Sequence, residues 1–299
     1  MKQLFIAERF CLIGSILSKV FGLAGLLLVV PHAEVILKLG AGGQTAMQWS
    51  LAGGGVTDIL LGTVAVSIYA YRTLGLKQTL MFMLPSVFLS LLSELLGTST
   101  GFPFGYYGYL SGLGYKIAGL VPFTIPLSWF YMGFSSYLIA RIGLDADRKP
   151  TWLRHVGAII LGAAIFTSWD FALEPAMSQT GVPFWYWEKP GAFFGTPYQN
   201  YAGWFGTGAL FMSVAAILWR KMPIKLERKQ LSLPLVVYLS NFAFAATLSC
   251  AAGYWLPILL GLVVGVAPVL TLWWMAQPSS ANTALEATKM PVAVEVALK

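Results

Sequence analysis

Residues 152–174 read WLRHVGAIILGAAIFTSWDFALE, with no charged side chain from Val156 to Trp169. A run this long and apolar matches the ~20 residues that a helix needs to cross a hydrocarbon core. It closes on two acids, Asp170 and Glu174, which are four apart and therefore stack on one helix face. A carboxylate in hydrocarbon costs ~2.5–3.5 kcal/mol or more, so an acid placed there is a candidate for function.

The rest of the chain follows the same pattern. Hydrophobic residues make up 57% of the sequence and charged residues 10%, against ~25% charged in a soluble domain. Mean hydropathy is +0.71. Eight spans are expected, near residues 10–30, 50–71, 79–97, 117–141, 152–174, 201–219, 231–250 and 255–276. The predicted fold is an all-α polytopic membrane bundle of about eight helices. It forms one domain over residues 1–278, followed by a small, polar, disordered tail at 279–299.

The basic residues set an orientation. With both termini inside, fifteen lysines and arginines fall in the inner segments. Only Lys38, Lys116 and Lys189 fall outside, and Lys19 lies within the first span. This is the bias expected of inward-facing loops. The net charge of +7 thus reports topology and lipid headgroups. Nucleic acid is not an expected partner, because the charges are scattered over short loops. The first span lacks a small-residue cleavage site and reads as an ordinary helix. Cys11 and Cys250 fall at opposite faces, too far apart for a disulfide.

Under this topology Asp58, Glu94, Asp170 and Glu174 all lie toward the outer side. Glu94 is followed by Thr100-Gly-Phe-Pro-Phe104, and Glu174 at the same spacing by Thr180-Gly-Val-Pro-Phe184. Spans three–four and five–six therefore read as an internal repeat, each copy with an acid and an aromatic-rich loop. Loops 97–116 and 175–200 carry Tyr106, Tyr107, Tyr109, Tyr115, Trp185, Tyr186, Trp187 and Tyr198. Loops of that length are usually functional. Three carboxyl groups, from Glu94, Asp170 and Glu174, are expected to line one cavity roofed by these loops. Such a setting suits an acid that donates a proton. The plainer readings are an interfacial aromatic belt, Glu174 as an interfacial acid, and Lys19 with Asp58 as a structural ion pair at similar depth.

Several chemistries are excluded by residue type. His32 and His155 are the only histidines and fall on opposite sides, so the histidine clusters of membrane di-iron enzymes and bis-histidine haem are lacking. No dinucleotide fingerprint or phosphate loop is visible. Late spans hold no interior lysine for a retinal Schiff base, and no Asp-x-x-x-Asp pair is present to hold magnesium. No metal site is expected. Carboxyl groups, water and aromatic rings remain.

Glu94-Leu-Leu-Gly-Thr-Ser-Thr-Gly-Phe-Pro-Phe-Gly-Tyr-Tyr-Gly-Tyr109, with Gly112-Leu-Gly114 and Val121-Pro122…Trp129, resembles the membrane carotenoid hydratases. That family includes the gamma-carotene 1'-hydroxylases of cyanobacteria and the bisanhydrobacterioruberin hydratases of archaea. A second match joins Trp169-Asp170…Glu174-Pro175, Phe184-Trp-Tyr-Trp187, Phe194-Gly-Thr-Pro197 and Asn200-Tyr-Ala-Gly-Trp204. The family more often has Asp-Pro where this chain has Glu174-Pro175. The resemblance covers roughly residues 90–210.

It implies a carotenoid-synthesis enzyme, a hydro-lyase that adds water to the C1',2' double bond of an acyclic (psi) end group. The product is a tertiary alcohol, and no cofactor is implied. The implied substrate is a gamma-carotene or lycopene-like carotenoid held among membrane lipid, with other enzymes of carotenoid synthesis as partners. The implied location is the plasma or thylakoid membrane. On this reading Glu94 and Asp170 are the acid/base pair, and Glu174 is a third catalytic acid. Tyr106, Trp129, Trp185, Asn200 and Trp204 bind substrate, with Asn200 and Glu174 orienting water or a carboxyl group. An end-group (lycopene-type) cyclase and a non-enzymatic isoprenoid-binding or transport protein stay open beside it.

Overall fold

The computed structural model describes residues 1–32, 34, 38 and 40–276, the side chains of 46–52 excepted. The tail expected at 279–299 lies outside the described residues. Helix α1 (Lys2–Ala24) continues through a π-helical turn, Gly25–Val29, to His32. It is followed by α2 (Ala41–Leu74), α3 (Leu76–Thr100), α4 (Thr124–Gly143) and α5 (Trp152–Ser178). Next come α6 (Tyr198–Trp219) and α7 (Ser232–Ala251). The last span, Trp255–Met275, consists of α8 (Trp255–Gly261), a π-helical segment (Leu262–Val266) and α9 (Ala267–Met275).

Seven of these stretches are long and apolar enough to cross a membrane. Helix α3 shows how such a span is built. Leu84, Phe88, Leu92 and Leu96 form an exposed stripe at four-residue spacing, while Ser86, Ser90 and Glu94 are buried on the opposite side. Apolar groups face outward and polar groups inward, the arrangement that hydrocarbon requires.

Helix α4 is not among the seven. It is the axis of the bundle, packed by α2, α3, α5, α7 and α9, with every residue but Leu127 buried. A helix enclosed on all sides is expected at such a centre. Its packing is close: a Cβ on Gly143 would sit 2.5 Å from the Leu272 carbonyl oxygen of α9. Arg141 near its end is buried, and it donates to Asp147 at 2.6 and 2.7 Å and to Tyr137 at 2.9 Å. The fork of a guanidinium matches a carboxylate in this way, so the buried charge is balanced.

The fourth span was expected at 117–141, but the helix starts only at Thr124. Residues 116–122 instead form a small hairpin, β2 (Lys116–Ile117) with β3 (Val121–Pro122). The turn passes through Ala118 and Gly119, both at positive φ (52° and 72°), which a helix cannot contain.

The two long loops are tied to each other. Strand β1 (Tyr107–Tyr109) follows α3, and β4 (Trp185–Trp187) follows α5. They pair antiparallel, Tyr107 with Trp187 and Tyr109 with Trp185. Helices α3 and α5 therefore end at the same face of the bundle, and the ribbon roofs it.

Candidate active site

The site forms where α3 and α5 end. Helix α3 stops at Gly101, whose φ of 78° takes the chain into a left-handed cap. The chain then folds back over its own last turn: a Cβ on Gly97 would lie 2.7 Å from the Phe104 ring and 3.0 Å from Tyr107. This return brings Tyr107 and Tyr109 above Glu94. The two tyrosines are one strand repeat apart and share a face.

Glu94 is 2% exposed and accepts three bonds. Trp129 Nε1 of α4 donates to Oε1 at 3.0 Å. The Tyr109 hydroxyl donates to Oε2 at 2.8 Å, and Tyr107 donates to the same oxygen. Burial, and next the Glu94 carboxylate, push both tyrosine hydroxyls well above the ordinary tyrosine value. They therefore remain protonated donors.

Glu174 is 3% exposed and is held differently. Trp185 Nε1 and Trp187 Nε1 both donate to Oε1, at 2.5 and 2.7 Å. Oε2 takes part in neither bond. The strand period again sets the roles: Trp185 and Trp187 are buried, and Tyr186 between them is exposed.

Glu94 and Glu174 line one cavity of about 160 Å³. Its walls are mostly apolar and aromatic, with Trp129, Trp169, Trp185, Trp187 and Trp204 among them. Trp129 and Trp204 stack with centroids 4.3 Å apart and planes at 21°. Lys19, Asp58, Tyr131, Asn200 and Asn241 are among its other polar groups. An apolar cavity of ~150 Å³ accepts a benzene-sized group. This one therefore admits the end of an isoprenoid chain, and the remainder of a long chain must lie outside it.

The model of the carotenoid biosynthesis protein family matches residues 54–268. This chain belongs to that family. The matched stretch contains every cavity residue named above except Lys19. The bisanhydrobacterioruberin hydratase of Haloarcula japonica is 34% identical over 126 residues, which are 42% of this chain and 39% of that protein. The shared region thus spans about two fifths of the relative's length. No solved structure matches the chain.

In this carotenoid biosynthesis protein the expected site residues separate into three groups. Glu94, Glu174, Trp129, Trp185, Asn200 and Trp204 line the cavity. Asp170 does not. It is fully buried behind Asn200, whose Nδ2 donates to Oδ2 at 2.9 Å, and its Oδ1 has no partner among the described residues. Asp170 lies one turn, ~6 Å, along α5 from Glu174, on the same face but under a lid. Of the three carboxyl groups expected on this cavity two line it, Glu94 and Glu174, and the third carboxyl there is that of Asp58.

Tyr106 is the second correction. It is 48% exposed and its ring packs over Gly101, away from the cavity. Tyr107 and Tyr109 take the place expected of it. The alternation Tyr-Gly-Tyr and Trp-Tyr-Trp carried that signal, since a strand turns every second side chain to one face. Trp187 was overlooked for the same reason. Lys19 and Asp58 form an ion pair at 2.5 Å between α1 and α2.

Proposed function

We propose that this protein adds water across the terminal C1',2' double bond of an acyclic carotenoid end group, giving a tertiary alcohol. The observation that carries the reading is the cavity itself: two glutamates, held by aromatic donors, face one apolar chamber sized for an isoprenoid terminus. The name of the Haloarcula japonica relative supports a hydratase rather than another carotenoid enzyme.

The chemistry follows from the two glutamates. Glu174 delivers the proton of its carboxyl group to the less substituted alkene carbon, leaving a tertiary cation. The faces of Trp129, Trp185 and Trp204 stabilise a cation by roughly 0.5–2 kcal/mol each. Water then attacks the cation, and Glu94, arranged as an acceptor by three donors, receives the proton that the water releases. Return of that proton to Glu174 closes the cycle, so only water is consumed. Asp170 acts through Asn200, fixing its amide at the cavity wall.

The substrate is gamma-carotene or a lycopene-like carotenoid. The polyene stays in the bilayer and reaches the cavity laterally. Both termini are cytoplasmic by the basic-residue bias, which puts the β1–β4 ribbon on the outer side of a plasma or thylakoid membrane. A cyclase shares the protonation step but excludes water. The polar groups of α1, α2 and α7 on the same cavity favour hydration. Expression in a host that makes acyclic carotenoids, followed by pigment analysis, tests the reading. Tertiary alcohols are expected. Ring-closed products would support the cyclase, and unchanged pigments would refute both.

A further inference from the structure

Lys19 and Asp58 present a feature that a purely structural ion pair does not need. Lys19 Nζ and Ser15 Oγ both engage Asp58 Oδ1, at 2.5 and 2.6 Å, and Lys19 Nζ also donates to Ser15 Oγ at 2.9 Å. Oδ2 takes no part in these bonds. The Asp58 side chain is 16% exposed, against 4% for Lys19, and both residues line the cavity that holds Glu94 and Glu174. A pair serving only to join α1 to α2 is better sealed, because an exposed charge edge in an apolar chamber must find a polar partner. Tyr131 and Asn241, bonded to each other at 3.2 Å, border the same chamber. A water or hydroxyl confined among apolar walls needs two or more such partners.

We infer that the Lys19–Asp58 pair is a hydroxyl-binding site, with Asp58 Oδ2 accepting a hydrogen bond from a water molecule or from an alcohol on a polyene end. This rests on the hydration reading, in which the same oxygen arrives as water and leaves as a tertiary alcohol. Ser15 and Lys19 hold the carboxylate so that one oxygen is spent on the protein and the other faces the ligand.

The test reads binding rather than turnover. The full-length protein in lipid nanodiscs is titrated with two probes, an acyclic carotenoid and its terminal tertiary alcohol, by quenching of indole emission. The wild type is expected to bind the alcohol at least ~10-fold more tightly, the worth of one hydrogen bond to a charged group. The double variant Lys19→Met with Asp58→Asn, which leaves no unpaired charge, is expected to bind both probes equally. Should that variant not fold, Ser15→Ala serves instead and is expected to change the ratio at least threefold. Equal affinities in the wild type, no binding of the alcohol, or an unchanged ratio in the folded variant would overturn the assignment. A wild type that prefers the alcohol but forms none from the acyclic carotenoid would count against the hydration reading and not against this site.

Discussion

Glu94 and Glu174 occupy matching places at the ends of α3 and α5, and each is bonded by the aromatic residue thirteen positions later, Tyr107 or Trp187. The two arrangements meet in one ribbon, where those aromatics pair directly. Their chemistry differs. Glu94 is gripped on both oxygens, two of its three donors being phenols. Glu174 is gripped on one oxygen by two indoles. An indole N–H only donates, whereas a phenol can also accept. Glu94 is therefore met on both oxygens, and the two indoles meet Glu174 on Oε1 alone. One structural device, used twice with different donors, separates the roles of base and acid.

The sharpest way to break this comparison is to neutralise each acid in turn. Glu174→Gln is expected to lower turnover toward the upper end of the ~10²–10⁴-fold range typical of acid–base groups, and Glu94→Gln toward its lower end. Gln at position 94 keeps an oxygen for Trp129 and meets phenols that can accept from its amide. Single-turnover rates in nanodiscs measure both, and equal losses would erase the distinction. Removing the donors tests the same point more gently. Trp187→Phe strips one bond from Glu174 and is expected to cost about 1.5–3 kcal/mol of transition-state stabilisation, roughly 10–100-fold. Tyr107→Phe leaves two donors on Glu94 and is expected to cost less. A larger loss in Tyr107→Phe would reverse the assignment. Asp170→Asn, acting only through Asn200, is expected to lose less than Glu174→Gln, within about tenfold on kcat; complete inactivation would restore Asp170 to the catalytic pair.

The smallest expected effect is on stability at high pH. Tyr107 and Tyr109 have hydroxyls pushed above their ordinary value of ~10, so the fold favours their neutral form. That contribution is fully present below pH ~10 and is lost as the pH climbs beyond it, since the unfolded chain then releases protons that the folded chain retains. Thermal unfolding of the wild type should fall more steeply above pH ~10 than that of Tyr107→Phe with Tyr109→Phe. Parallel curves would show that the tyrosines are not buried as described.

Much of this architecture is legible in the sequence, and the exceptions have physical causes. Apolar length marks the membrane-crossing stretches, because hydrocarbon leaves few other options. Asp170 and Glu174 were expected on one face and are. Their difference in access depends on Asn200, contributed by another helix, and helical spacing carries no such information. Composition alone does not separate Tyr106 from Tyr107 in this loop. The pairing of β1 with β4 imposes an alternation that a three-residue strand barely announces. Helix α4 starts late because a turn at positive φ interrupts an otherwise apolar run. Lys19 and Asp58 form the expected ion pair, but their place on the cavity wall is not legible in the sequence.

The central claim is that water, and nothing else, supplies the new oxygen. The most direct measurement is turnover by the purified protein with an acyclic carotenoid, without oxygen and in ¹⁸O-labelled water. The account predicts a tertiary alcohol that forms at the full rate and carries ¹⁸O in its hydroxyl. An unlabelled hydroxyl, or a product that forms only when oxygen gas is supplied, would contradict it.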